Sequence, residues 1–281
     1  MIVVTGATGN IGRPLVRALA AAGEDVTAVA RRVTAAEVPP GVRAVPADLA
    51  EPTTLKAALD GADALFLLLA GDLLGPGDDP AEVLAAAGAG GVGRIVLLSS
   101  QGAGTRADVP SHSRLAAFEE AVRAAGPDWT ILRPGGFHTN AYQWAESIRT
   151  ARTAAAPFAG VGLPFVDPAD IAEVAAAVLR EDGHTGRVYE LTGPAPVSPR
   201  ERARAIGEAL GAPVRFTEQT PAEAREEMLR FMPAPVADGT LAILGRPLPA
   251  ERRVSPDVER VLGRPPRSFA DWAARNAPAF A

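Results

Sequence analysis

Cysteine is absent from the 281 residues, which excludes disulfides, thiolate metal sites and cysteine nucleophiles. Lysine occurs once, at Lys56, among 28 basic residues, and tyrosine twice, at Tyr142 and Tyr189. Neither charge sign is concentrated: the net charge is -5, the pI is about 5.4, and no basic stripe argues for nucleic-acid binding. Long hydrophobic runs are missing too. The longest strongly apolar stretch, 64–70, is far too short for a bilayer and suits a buried strand. The first residues, Met-Ile-Val-Val-Thr-Gly, enter a strand at once, with no basic segment or apolar leader before it. No spacing of His, Asp and Glu suggests a metal. These absences predict a soluble cytoplasmic protein, monomer or homodimer, that acts on a small molecule and has no nucleic-acid, membrane or metal partner.

What is present is ordinary globular composition, 47% hydrophobic and 22% charged, arranged in a rhythm. Strand-like apolar runs at 2–5, 25–30, 43–46, 64–69, 94–99 and 130–133 alternate with helical patterns at 13–22, 53–59, 81–87 and 114–125. Most of the runs are continuously apolar, as strands covered on both faces are. The alternation predicts an α/β fold of Rossmann type, a doubly wound parallel sheet. After Pro134 the rhythm changes. We expect a helix over 139–150, a Gly- and Pro-containing segment, a helix over 171–179 capped by Asp170, and a strand at 187–191. A Ser198-capped helix over 200–210 ends at Gly211, and a strand at 214–217, a helix at 221–231 and a Pro- and Arg-rich tail come after it. The chain therefore divides into an α/β domain over 1–150, which the motifs described next mark as dinucleotide-binding, and a smaller substrate-side α/β subdomain over 151–281, forming one integrated unit.

Gly6, Gly9 and Gly12 stand directly after the first strand and open the first helix. In that setting one glycine makes the sharp turn, one lets backbone approach a pyrophosphate, and one lets helix and strand pack closely. The helix start offers N–H groups and partial positive charge to phosphate. Thr8, Asn10 and Ile11 line the same turn. At the end of the second strand, where NAD-binding chains carry an acid for the ribose, this chain has Arg31 and Arg32. Guanidinium groups there match a 2′-phosphate, so NADP(H) is expected over NAD(H). Asp48 is either an acceptor for the adenine amino group or a turn residue.

Further motifs carry a family resemblance: 5–12 (Thr-Gly-Ala-Thr-Gly-Asn-Ile-Gly), 96–100 (Val-Leu-Leu-Ser-Ser), 129–137 (Trp-Thr-Ile-Leu-Arg-Pro-Gly-Gly-Phe), Asn140, 166–172, 189–194 and 269–272. In this order they resemble the NmrA-like, atypical short-chain dehydrogenase/reductases, and most the quinone reductases of that branch, over nearly the whole chain. The resemblance implies that Leu69, Ala70 and Gly71 run beside the cofactor. It also implies that Ser99 and Ser100 approach the nicotinamide ribose, and that Pro134, Gly135, Gly136 and Phe137 lie against the nicotinamide. Catalytic members of the wider family carry Tyr-x-x-x-Lys on the helix after the fifth strand. Here Ser111 and Leu115 stand at the corresponding spacing, and no tyrosine or lysine is near.

The chemistry expected is hydride transfer to a quinone-like or otherwise activated acceptor, whose reduced form is acidic enough to take its protons from solvent. The other reading is a non-catalytic NADP(H) sensor of the NmrA type. His138, after the nicotinamide-side turn, and His112, at the start of the dyad helix, are the acid–base candidates; His184 lies in a surface turn. Phe137, Tyr142 and Trp144 form an apolar slot for a planar substrate or pack the core, with Asn140 binding backbone or substrate beside them. Residues 106–113 are either a flap over the site or plain loop.

Overall fold

The computed structural model describes residues 1–69 and 80–281. Seven strands form one sheet: β1 (Ile2–Thr5), β2 (Val26–Ala30), β3 (Arg43–Pro46), β4 (Ala64–Leu68), β5 (Arg94–Leu98), β6 (Asp128–Pro134) and β8 (Arg187–Leu191). Their order is β3-β2-β1-β4-β5-β6-β8 and every pairing is parallel. The register runs Ile2 opposite Val26 and Ala64, then Ala64 opposite Arg94 and Arg94 opposite Asp128. This is the doubly wound α/β sheet that strand–helix alternation predicts. It explains the unbroken apolar strands: β4 reads Ala-Leu-Phe-Leu-Leu because both of its faces are covered.

On one face the helix Gly12–Ala21 packs against the helix Pro168–Arg180, with Leu15, Leu19, Ile171, Val174 and Val178 closing a core over β1 and β4. On the other face the helices Pro80–Ala89 and Pro110–Ala124 cover Leu65, Leu67, Ile95, Leu97 and Ile131. A third core gathers Trp144, Ile148, Ile206, Phe269, Trp272 and Phe280 around a two-stranded parallel sheet of β7 (Thr153–Pro157) and β9 (Arg215–Gln219).

Several expectations change here. Residues 168–191 return to the large sheet, Val258 packs on its core, and Ala141, Trp144 and Ile148 belong to the third core, so the smaller unit does not coincide with 151–281. The sequence does not announce β7, because Thr-Ala-Ala-Ala-Pro carries little β propensity; its pairing with β9 makes it a strand. The stretch expected as a helix over 139–150 is a 3-10 turn, His138–Trp144, continued by the helix Ala145–Ala151. Asp170 is not a cap: Asp167 accepts from Ala169 N at 2.9 Å, and Pro168 fills the first helical position where no N–H is needed. Ser198 does cap its helix, Pro199–Leu210, in a reciprocal box with Glu201, and Gly211 ends it at φ +64°. Among the described residues no helix is long and apolar enough to cross a membrane.

Candidate active site

The site lies outside the carboxyl ends of the strands, where the chain order reverses between β1 and β4. The loop after β1 is shaped by its glycines. Gly6 adopts φ +64°, and a Cβ on Gly12 would sit 2.1 Å from the Gly6 carbonyl oxygen, so only glycine lets the helix start this close to the strand. No side chain caps the helix and its first turn holds no acid; Arg13 N is taken by the Gly9 carbonyl and Pro14 has no N–H, so the Gly12 N–H and the partial positive charge of the helix start are what remains for an anion. A groove of about 410 Å³ runs from there. Thr5, Gly6, Thr8, Gly9, Asn10 and Ile11 line one wall, Arg31, Arg32, Asp48, Leu49 and Ala50 the far end, and Leu68 and Phe137 the near end. Arg31 and Arg32 are exposed and make no ion pair or hydrogen bond among the described residues. Asp48 lines the groove, and its Oδ1 accepts from Ala50 N at 3.0 Å within the turn.

A smaller cavity of about 170 Å³ abuts the turn after β6. Pro134, Gly135, Gly136 and Asn140 form one side, and Ser100, Gln101 and Gly102 from the end of β5 another. Leu163, Pro164 and Phe165 form its floor. The helix Ala234–Gly245 closes it with Thr240, Ile243 and Leu244, and Glu251 completes the wall. Ser100 accepts from Gly102 N at 3.2 Å, capping the helix Gln101–Thr105, and no acceptor is paired with its hydroxyl among the described residues. Phe165 is held from behind by the Arg202 guanidinium, 4.5 Å from the ring centroid. Burial lowers the Arg202 pKa to about 10, and its Nε has no hydrogen-bond partner among the described residues.

Some expected site residues lie elsewhere. Leu69 is buried in the core beneath the sheet, and Leu68 faces the groove in its place, one residue of the strand period away. Ala70 and Gly71 lie outside the described residues. Ser99 donates from Oγ to Glu119 Oε1 at 2.6 Å, inside a buried network with Arg133 and Arg123, and turns away from both cavities. Burial alone pushes the Glu119 carboxyl up, but the Arg133 and Ser99 hydrogen bonds outweigh it and the net pKa is lowered. Trp144 is core: it is buried, its Nε1 donates to the Ala155 carbonyl at 2.7 Å, and its ring meets Phe216. Tyr142 stacks on Phe280 and donates to Asn276 Oδ1 at 2.6 Å, so it faces the carboxyl-terminal helix rather than the cavity. Of the three aromatics only Phe137 reaches a cavity, lining the groove, while the smaller cavity takes its aromatic wall from Phe165, which sequence reading missed.

The histidines change role as well. His138 is 1% exposed, lies edge-on to Phe269 with centroids 5.1 Å apart, and has no hydrogen-bond partner on either ring nitrogen among the described residues. Burial, opposed by Asp167, lowers its pKa to about 4, and it reaches neither cavity. His112 lies behind Gly102, with Nε2 2.2 Å from where a Gly102 Cβ would stand, and its Nδ1 pairs with Ser111 Oγ at 2.9 Å. Burial lowers its pKa also. His184 bonds the Tyr189 hydroxyl at 2.8 Å. Residues 106–113 are no flap: Arg106 is tied to Glu251, and Pro110 already begins a helix. Among the described residues no group of His, Asp and Glu could hold a metal ion.

A family model described as NAD(P)H-binding matches residues 6–182, which contain the glycine loop, both arginines and the β6 turn. The chain belongs to that family. It is 39% identical to the (4-alkanoyl-5-oxo-2,5-dihydrofuran-3-yl)methyl phosphate reductase of Streptomyces griseus, over 100% of this chain and 99% of that protein. It is 34% identical to the NAD(P)H azoreductase of Xenophilus azovorans, again over 100% and 99%. The solved structure of an Escherichia coli NADPH-dependent quinone oxidoreductase complexed with NADPH shares the fold, with TM-score 0.82 and 24% identity over 98% of this chain and 99% of that one. A member of that NAD(P)H-binding family and similar end to end to named reductases, the chain is an NAD(P)H-dependent oxidoreductase, in line with the resemblance its motifs carry. No Tyr-x-x-x-Lys pair stands on the helix Pro110–Ala124. Ser111 pairs with His112, Leu115 packs against the core, Lys56 lies on another helix, and Tyr142 and Tyr189 are bonded elsewhere.

Proposed function

We propose that the chain passes a hydride from NADPH, in preference to NADH, to a conjugated, electron-poor small molecule such as a quinone, without a Tyr-x-x-x-Lys dyad. The observation that carries this reading is the meeting of groove and cavity on one turn: Phe137 lines the groove, and Pro134, Gly135 and Gly136 line the cavity beside it. The residues present fit a phosphorylated dinucleotide, because the Gly12 contact leaves backbone open to phosphate and two guanidinium groups, unpaired among the described residues, stand at the far end. When bound, the nicotinamide supplies a hydride. The protein's own part is to hold an acceptor against it and keep water out.

Leu163, Pro164, Phe165, Ile243 and Leu244 give the cavity apolar walls, and the Ser100 hydroxyl and Asn140 amide are neutral groups that donate to carbonyl oxygens. Hydride addition to a quinone, followed by one solvent proton, completes a two-electron reduction. The intermediate anion is delocalised and needs no strong acid beside it. This accounts for a site in which His138 faces an aromatic core and His112 sits behind Gly102. The relatives' names support the same substrate class, since a lactone alkene flanked by two carbonyls and an azo group are both electron-poor double bonds.

The test is NADPH and NADH oxidation with a panel of quinones, azo dyes and acyl-butenolides. Turnover of at least one class, faster with NADPH, is expected. NADPH binding without hydride loss to any of them overturns the reading.

A further inference from the structure

The acceptor cavity has a charge character that hydride transfer alone does not demand. Of the residues lining it one is charged, and that one is the carboxylate Glu251. Arg106 does not line the cavity, and its guanidinium is already engaged. It donates to Glu251 at 2.7 and 2.9 Å and to the Arg246 carbonyl at 3.1 Å. Glu251 cannot swing away, because Thr105 Oγ1 and Leu248 N also bind it, at 2.9 and 2.8 Å, and the residue is 2% exposed. The ten residues outside the described structure contain Asp72, Asp78 and Asp79 and no basic residue, so they supply no counter-charge wherever they lie.

An anion entering such a cavity loses its hydration, finds no cation among the lining residues, since the Arg202 guanidinium lies behind the Phe165 ring, and meets a carboxylate. A phosphorylated dinucleotide in the neighbouring groove brings more negative charge still. We infer that this cavity takes neutral acceptors and discriminates against anionic ones, and that Glu251 is the specificity-determining residue. The inference rests on the acceptor reading above. It separates this chain from the Streptomyces griseus relative, whose named substrate is a phosphate ester.

The experiment compares 1,2-naphthoquinone with its 4-sulfonate, each rate divided by the uncatalysed reaction with NADPH. Calorimetric titration of both quinones into protein loaded with 1,4,5,6-tetrahydro-NADP, whose ring is uncharged like that of NADPH and donates no hydride, gives a second readout. The neutral quinone is expected to lead in kcat/KM by roughly tenfold or more, and to bind more tightly by a similar factor, as an unpaired buried charge dictates. Glu251→Gln keeps an acceptor for Arg106 and removes the charge, so the preference should shrink about fivefold or more. Ile243→Arg places a cation in the same cavity from the covering helix, which does not carry Glu251, and should shrink it too; this variant serves if Glu251→Gln fails to fold. Equal normalised rates and affinities for the two quinones in the wild type overturn the inference, as does a folded variant of either kind with the wild-type preference. If no quinone is turned over, the acceptor reading falls, while the affinities still decide the charge selection.

Discussion

Arg31 and Arg32 stand at the end of β2 with no partner among the described residues, so their charge does nothing for the fold and is open to an incoming anion. Replacing both by alanine removes the groups matched to a 2′-phosphate. NADPH affinity should fall roughly 10–100-fold, at the usual strength of charge-assisted hydrogen bonds, while NADH affinity changes little. Calorimetric titration with both dinucleotides checks this, and an equal loss for the two would contradict the assignment. Gly12 acts at the same scale by a different force. A methyl group there lies 2.1 Å from the Gly6 oxygen and 2.8 Å from Ala7 Cα, both backbone atoms, so the loop itself must open. Gly12→Ala should therefore cost about 1–3 kcal/mol of stability by overpacking and weaken both dinucleotides alike. Thermal unfolding and titration of the one variant read both effects.

Elements differ in how openly the sequence announces them. The glycine loop, Arg31 and Arg32 are legible because each is a short run whose task depends on the strand just before it. Ser198 and Gly211 are legible because a capping box and a left-handed terminator are local chemistry. The acceptor cavity is not, since Gln101, Phe165, Leu244 and Glu251 come from four separate stretches that only the folded order of elements brings together. Asp170 misleads for a related reason: an acid before an apolar-periodic helix reads as a cap, yet its carboxylate is directed to partners 94 and 97 residues away, Arg264 and Arg267. That contact fastens the tail to the helix Pro168–Arg180, helped by Glu173, whose pKa is lowered because its bonds to both arginines outweigh its burial. Asp170 is fully buried, while Arg264 and Arg267 are partly exposed and keep Glu173, so Asp170→Asn weakens the cluster without stranding either guanidinium. We expect a loss of about 1–3 kcal/mol, the usual strength of hydrogen bonds to charged groups, visible as a lower urea midpoint with the slope unchanged.

Across the whole molecule, pH should act in two steps with the same sign. His138 has a folded pKa of about 4 against an ordinary value of 6.5, because burial among Phe269 and Trp272 disfavours its charged form. Between these values the unfolded chain binds a proton that the folded chain refuses. Stability is therefore lost as pH falls from about 6.5 to about 4, by roughly 3 kcal/mol in all, and this residue adds nothing further below that. His112, lowered by burial, contributes in the same direction at the upper end of that range. The carboxyls of Glu119, Glu173 and Glu251 act lower. Each is held below its ordinary 4.5 by arginine despite its burial, so each stabilises the fold above that value and ceases to as pH falls through its folded pKa. His138→Phe fits an aromatic cluster that offers the ring nitrogens no partner among the described residues, and should abolish most of the first step while leaving the second. Melting temperatures measured from pH 8 to pH 3.5 would show this as a wild-type curve that declines from about pH 6.5 and a variant curve whose decline over that range is much shallower, keeping only the part due to His112, before it steepens below about pH 4.5. Parallel curves for the two proteins would mean that His138 is solvated in solution and that the carboxyl-terminal helix does not seal it.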